Sequence, residues 1–215
     1  MAAEPPAELT IVPPGARAML TLGHGAGSPM TSPLLQGLCE SLRERGIATH
    51  RFNFPYMRAG RRAPDRAPVL LEAFRAAHER AGAAAPGLPL LAGGRSMGGR
   101  IASMAAADGM PAAGLVFLAY PLHPPGRPER IRDAHLYGLD IPMLFIQGSR
   151  DAFARPELLR AVLSRLGTRA HLVEIDGADH GFRRAGGTRD AASIGAALAE
   201  PVAAFVDQAT AASRA

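Results

Sequence analysis

Leu88-Pro89-Leu90-Leu91-Ala92-Gly93-Gly94-Arg95-Ser96-Met97-Gly98-Gly99-Arg100-Ile101-Ala102 is the stretch that decides how this chain is read. An apolar run, Leu88–Gly93, predicts a buried strand, and Met97–Asp108 predicts a helix. Between them lies G-x-S-x-G, the pattern of a serine held on a sharp strand-to-helix turn. Glycine two residues before and two after the serine lets neighbouring backbone pass where a Cβ would clash. The helix that starts there aims backbone N–H groups and the positive end of its dipole at Ser96. Ser96 is therefore the candidate nucleophile.

Outward from that turn, short apolar runs alternate with amphipathic ones. Strands are predicted at Ala18–Gly23, Ile47–Phe54, Gly114–Tyr120, Pro142–Gly148 and His171–Ile175, each bounded by Gly or Pro or close to them. Helices are predicted at Pro33–Arg45, Ala67–Ala83, Pro156–Leu166 and Ala191–Thr210. In Val69, Leu70, Ala73, Phe74 and Ala77 the apolar residues recur every three to four positions, as on a helix face. Strands apolar on both faces, alternating with helices, predict a mostly parallel α/β sheet covered on both sides. Residues 1–15, with Pro5, Pro6, Pro13 and Pro14, read as an extended lead-in that pairs at a sheet edge or frays, and 16–215 as one domain.

Ligands of such sheets sit beyond the carboxyl ends of the strands, and the remaining chemical residues fall there. His24-Gly25-Ala26-Gly27 follows the first long strand. Acyl transfer needs two backbone N–H groups aimed at a developing oxyanion. Met97, next after the serine, is one candidate donor and Ala26 the other, with Gly25 the alternative to Ala26. His24 reads as a structural histidine bonding backbone in this loop. Asp151, in Gln147-Gly148-Ser149-Arg150-Asp151, is the candidate acid, to be weighed against a simple helix cap near Pro156. Asp176 and Asp179 compete for that role. His180, in Gly177-Ala178-Asp179-His180-Gly181-Phe182, is the candidate base among seven histidines. No Cys/His cluster has metal-ligand spacing, the glycines do not match a dinucleotide loop, and no metal or organic cofactor is called for.

Composition narrows the classes further. The net charge is +5 and every basic residue is Arg, spread along the chain without an aromatic ladder, which argues against a nucleic-acid partner. The Ala, Gly, Pro and Arg content fits a GC-rich bacterial genome. A single Cys39 on a helix pattern reads as a buried thiol and fits a reducing cytoplasm. No basic, apolar leader opens the chain, and no apolar run reaches the roughly 18 residues of a membrane span, so no membrane partner is expected.

The stretches HGAGSPM (His24–Met30), RFNFPYM (Arg51–Met57), GGRSMGGR (Gly93–Arg100), YPLHPPGRPE (Tyr120–Glu129), QGSRDAF (Gln147–Phe153) and GADHGF (Gly177–Phe182) together resemble bacterial α/β-hydrolase-like proteins. These are related to a subunit of a non-specific-lethal chromatin complex and to a testis-expressed homologue. The dienelactone hydrolases are similar at greater distance, with a cysteine where this chain has Ser96. The chain order serine, acid, histidine is also that of α/β-hydrolases. The resemblance implies the α/β-hydrolase fold and a triad of Ser96, Asp151 and His180, but names no substrate. The stretch between Tyr120 and Pro142 is too short for a cap domain, so the site is expected to be open to small acyl groups. Tyr120 and His123 are candidate rim residues for substrate, with His123 in its Pro-rich loop equally readable as structural, and the Arg58–Arg66 segment is a candidate entrance. The expected function is hydrolysis of a small carboxylic ester or thioester. A silent scaffold on the same fold, and an acyltransferase or perhydrolase, are the rival classes. The sequence does not specify an oligomeric state.

Overall fold

The computed structural model describes residues 7–212. Pro5 and Pro6 of the lead-in lie outside them. Seven strands form one sheet: β1 (Glu8–Ile11), β2 (Ala18–Gly23), β3 (Ile47–Phe52), β4 (Leu90–Arg95), β5 (Leu115–Leu118), β6 (Met143–Gly148) and β7 (Ala170–Ile175). Their order is β1-β3-β2-β4-β5-β6-β7, parallel throughout except for β1, which pairs antiparallel with β3 at the edge. The helices are α1 (Pro33–Glu44), α2 (Pro55–Arg58), α3 (Ala67–Ala84), α4 (Met97–Ala107), α5 (Pro156–Leu166), α6 (Ala191–Ala197) and α7 (Ala199–Ala212).

Side-chain alternation along the strands divides the core in two. On one face Leu20, Leu22, Val116, Leu118, Leu144 and Ile146 pack with Leu35, Leu38 and Cys39 of α1 and Val202 and Val206 of α7. On the other, Leu115, Phe117, Met143 and Phe145 pack with Phe74 of α3, Ile101 of α4 and Leu159 of α5. Each fully buried Leu or Phe contributes about 1.5–3 kcal/mol of transfer free energy. Cys39 is wholly buried, which pushes its thiol up to about 11. No helix among the described residues is long and apolar enough to cross a membrane.

Strands β3 and β5 are shorter by two and three residues than the sequence reading and α2 was not foreseen, but two departures have a clear physical cause. Strand β4 runs Leu90–Arg95, not Leu88–Gly93. Pro89 has no N–H for the ladder, and pairing with β5 carries the strand on to Arg95, opposite Leu118. The predicted helix Ala191–Thr210 is two helices, broken at Leu198, because Pro201 cannot donate to the Ala197 carbonyl one turn back.

The topology fixes where the site lies. From β2 the chain steps to β3 on one side and then to β4 on the other, so the sheet reverses direction beside β2. The loops after β2 and β4 leave neighbouring strands there, at the crevice where such sheets bind ligands.

Candidate active site

Ser96 joins β4 to α4 at φ 49° and ψ −113°, a left-handed conformation that costs a non-glycine residue about 1–3 kcal/mol. The strain is held from both sides: Ser96 N–H donates to Leu118 O at 2.9 Å, and Arg100 N–H donates to Ser96 O at 3.1 Å. Glycine makes the turn possible. A Cβ on Gly94 or on Gly98 would stand 2.2 Å from the Gly23 carbonyl oxygen of β2. Backbone contact at Gly23 thus seats the turn against the strand that leads into His24-Gly25-Ala26.

The three candidate triad residues meet in one hydrogen-bonded chain. Ser96 Oγ lies 2.9 Å from His180 Nε2, and His180 Nδ1 lies 2.7 Å from Asp151 Oδ2. With the carboxylate accepting from Nδ1–H, Nε2 is left to accept the serine proton. Asp151 is 3 % exposed. Its Oδ1 accepts from Phe153 N–H at 2.8 Å, and its Oδ2 also accepts from Gln147 Nε2 at 2.6 Å. Asp151 therefore does not act as a cap for α5. The loops carrying Asp151 and His180 are stitched together: Arg150 N–H donates to Ala178 O at 2.9 Å, and a Cβ on Gly148 would meet that same oxygen at 2.3 Å. The competing acids are used elsewhere. Asp179 Oδ1 accepts from Gly181 and Arg183 N–H, closing the turn that carries His180, and Asp176 accepts from Ser149 Oγ.

Three neighbours escaped the sequence reading. Gln147 is buried on β6, and its Oε1 has no hydrogen-bond partner, so its amide serves Asp151 alone. The Phe153 ring lies over His180 with centroids 4.2 Å apart. Arg95, the residue before the nucleophile, reaches His180 O at 3.5 Å and comes within 3.0 Å of where a Gly25 Cβ would stand. Burial pulls the Arg95 guanidinium below its usual range, while the charges of Asp151 and Asp179 work the other way. Arg95 lies in G-x-S-x-G and Gln147 and Phe153 in Gln147–Phe153, stretches already singled out, but neither pattern dictates which way a side chain turns.

The loop after β2 is built around His24. His24 Nδ1 donates to Gly25 O at 2.8 Å, and Nε2 accepts from Phe54 N–H at 3.0 Å, so the ring must be neutral. Burial holds it so, below its ordinary value. Ser28 N–H adds a second bond to Gly25 O at 3.3 Å. In a planar trans peptide the N–H points opposite to the C=O, so fixing Gly25 O also fixes Ala26 N–H. A Cβ on Gly25 would lie 3.8 Å from Ser96 Cβ, which puts this peptide beside the nucleophile. Neither Ala26 N–H nor Met97 N–H donates to another group among the described residues.

Tyr120 and His123 are not rim residues. Tyr120 is fully buried and its hydroxyl donates to Arg132 O at 2.8 Å. His123 is 1 % exposed; Nδ1 donates to Pro124 O at 2.9 Å and Nε2 accepts from Arg155 N–H at 3.0 Å. Both polar ends are consumed in pinning the segment after β5 to the loop after β6, and neither can reach a ligand. The arginines of the Arg58–Arg66 segment are exposed, with Arg61 paired to Asp65. No group of three His, Cys, Asp or Glu side chains that could hold a metal occurs among the described residues.

Residues 16–207 match the family model described as alpha/beta hydrolase domain. The chain belongs to this family. Solved structures agree on the fold. An α/β serine hydrolase homologue from Coxiella burnetii matches at TM-score 0.67 and 23% identity, over 80% of this chain and 82% of that one. A dienelactone hydrolase from Anabaena variabilis matches at TM-score 0.72 and 22% identity, over 94% and 90%. A serine hydrolase without lid from Xanthomonas campestris matches at TM-score 0.69 and 23% identity, over 92% and 88%. The present α/β-hydrolase fold likewise has no evident cap: between β5 and β6 it carries only turns and a single-turn helix, Ala134–Gly138.

Proposed function

We propose that the protein is a serine hydrolase that cleaves a small carboxylic ester or thioester through an acyl-enzyme on Ser96. The observation that carries this reading is the unbroken chain from Ser96 Oγ through His180 to Asp151, on a strained turn beside unbonded amides. His180 takes the Ser96 proton as the oxygen attacks the acyl carbonyl. The amides of Met97 and Ala26 stabilise the oxyanion. His180 then protonates the leaving alkoxide or thiolate. Water, deprotonated by the same ring, releases the acid and restores Ser96–OH. Asp151 holds the ring in the productive tautomer and offsets the imidazolium charge. The absence of an evident cap supports small, accessible acyl groups over long ones held in a tunnel.

Turnover of p-nitrophenyl acetate and butyrate by the wild type, set beside Ser96→Ala, tests the reading. Turnover that vanishes in the variant supports it. Turnover that persists overturns it. If the wild type turns nothing over and is not labelled by a fluorophosphonate, the scaffold role stands instead, in keeping with the resemblance to a chromatin-complex subunit. Transfer to an added alcohol, thiol or hydrogen peroxide in preference to water identifies an acyltransferase or perhydrolase.

A further inference from the structure

A sizeable cleft lies away from Ser96. It measures about 760 Å³ and opens on the outer side of edge strand β7, between the loop after His180 and helices α6 and α7. Its volume falls within the roughly 300–1,000 Å³ of small-molecule sites. Val173, Ile175, Phe182, Ile194 and Leu198 make an apolar floor. Arg183, Arg184 and Arg189 stand exposed around it, and none of their guanidiniums has a hydrogen bond or ion pair among the described residues. Some arginines elsewhere find carboxylates, as Arg17 does with Asp207, Arg80 with Glu8 and Arg160 with Glu174, but no other described cleft gathers three unpaired ones on an apolar floor. At the cleft the only acidic lining residue is Glu200, one carboxylate against three guanidiniums. Asp190, next in the chain, is turned to capping α6, where its carboxylate accepts from Ser193 N–H at 2.7 Å.

The cleft also has a mechanical link to the candidate active site. Phe182 is a bulky residue at φ 61°, strained for the same reason as Ser96. Its N–H donates to Asp179 O at 2.9 Å, closing the turn that carries His180, while its ring is buried in the floor of the cleft.

We propose that this cleft binds a single-chain amphipathic anion, its alkyl chain on the Val173–Ile175–Phe182 floor and its oxyanion head among Arg183, Arg184 and Arg189. An apolar floor alone would suit any hydrophobic ligand; the unpaired guanidiniums select the anionic ones. The site is independent of the hydrolase reading and shares no residue with the Ser96–His180–Asp151 chain.

Calorimetric titration of the full chain with decanoate, below its micelle concentration, tests the proposal. Saturable one-to-one binding is expected, with decyl phosphate competing and decyltrimethylammonium and acetate failing to compete. Which of decanoate and decyl phosphate binds tighter identifies the head group. Arg184→Gln/Arg189→Gln, both at exposed positions, should weaken binding about tenfold or more, through loss of two charge-assisted contacts. Ala204→Trp, an exposed lining residue enlarged, should block the tail. Ester turnover by these variants should match the wild type. No saturable binding to the wild type overturns the proposal. So does equal affinity in the variants, or self-association across a sedimentation series that Ala204→Trp abolishes, which would show the cleft to be filled by a second copy.

Discussion

Helix α4 offers two serine–histidine contacts about two turns apart, and they are nearly the same length: Ser96 Oγ to His180 Nε2 at 2.9 Å, and Ser103 Oγ to His135 Nε2 at 2.8 Å. Only the first fits the nucleophilic chemistry proposed above. Ser103 is fully buried and its hydroxyl donates to Arg100 O at 2.9 Å. His135 must then donate from Nε2, so the ring has no acceptor facing the serine. Burial and the Arg100 charge also pull His135 down to about 4. At Ser96 the hydrogen-bond pattern is different. The hydroxyl is partly exposed on a strained turn, the ring's other nitrogen faces a carboxylate, and unbonded amides stand beside the oxygen. A serine–histidine distance carries no chemistry by itself; what matters is which atom of the pair owns the proton and what stands behind the ring.

Substitutions can sharpen that contrast, starting with the largest effect. Ser96→Ala should lower kcat for p-nitrophenyl esters by about 10³-fold or more, whereas Ser103→Ala keeps turnover within a few-fold. Equal losses in the two would erase the distinction. Asp151→Asn should cost about 10²–10⁴-fold in kcat, because an amide no longer fixes the tautomer that accepts the serine proton. Replacing Gln147 by Met removes one charge-assisted donor from Asp151 and should lower kcat about tenfold to a hundredfold with little change in KM. A KM effect alone would mean that Gln147 acts on substrate and not through Asp151.

The remaining tests concern stability. His24, His50, His78 and His135 are all shifted below 6.5 by burial, so the unfolded chain binds more protons than the native one in mild acid. Stability should therefore rise as pH increases toward about 6.5 and level off above it, with His135 contributing from about 4 upward. Urea melts at pH 5 and 7.5 measure this, and His135→Gln should flatten the slope. The smallest effect is Ser103→Ala, which should cost about 1 kcal/mol as a lost buried hydrogen bond.

Much of this was legible in the sequence, and the residues show why. The fold followed from strands apolar on both faces and from glycines that allow close backbone contact, as at Gly94 and Gly98. Ser96, Asp151 and His180 could be singled out because each follows a strand. Their convergence could not, since it depends on Gly148 and Ala178 touching. Tyr120 and His123 could not be placed from sequence because a Pro-rich loop can form a rim or fold inward; here it folds inward and spends its polar atoms on Arg132, Pro124 and Arg155, the structural alternative for His123. Gln147 lay hidden because strand residues face either side of a sheet, and only the register puts its amide against Asp151.

The central claim is that Ser96, not Ser103, is an activated nucleophile. Incubation of the folded protein with a fluorophosphonate, followed by intact-mass measurement and peptide mapping, addresses it most directly. The account predicts a single adduct on Ser96, absent from Ser96→Ala and undiminished in Ser103→Ala. No adduct on the wild type, or one that maps to Ser103 or survives in Ser96→Ala, would contradict it.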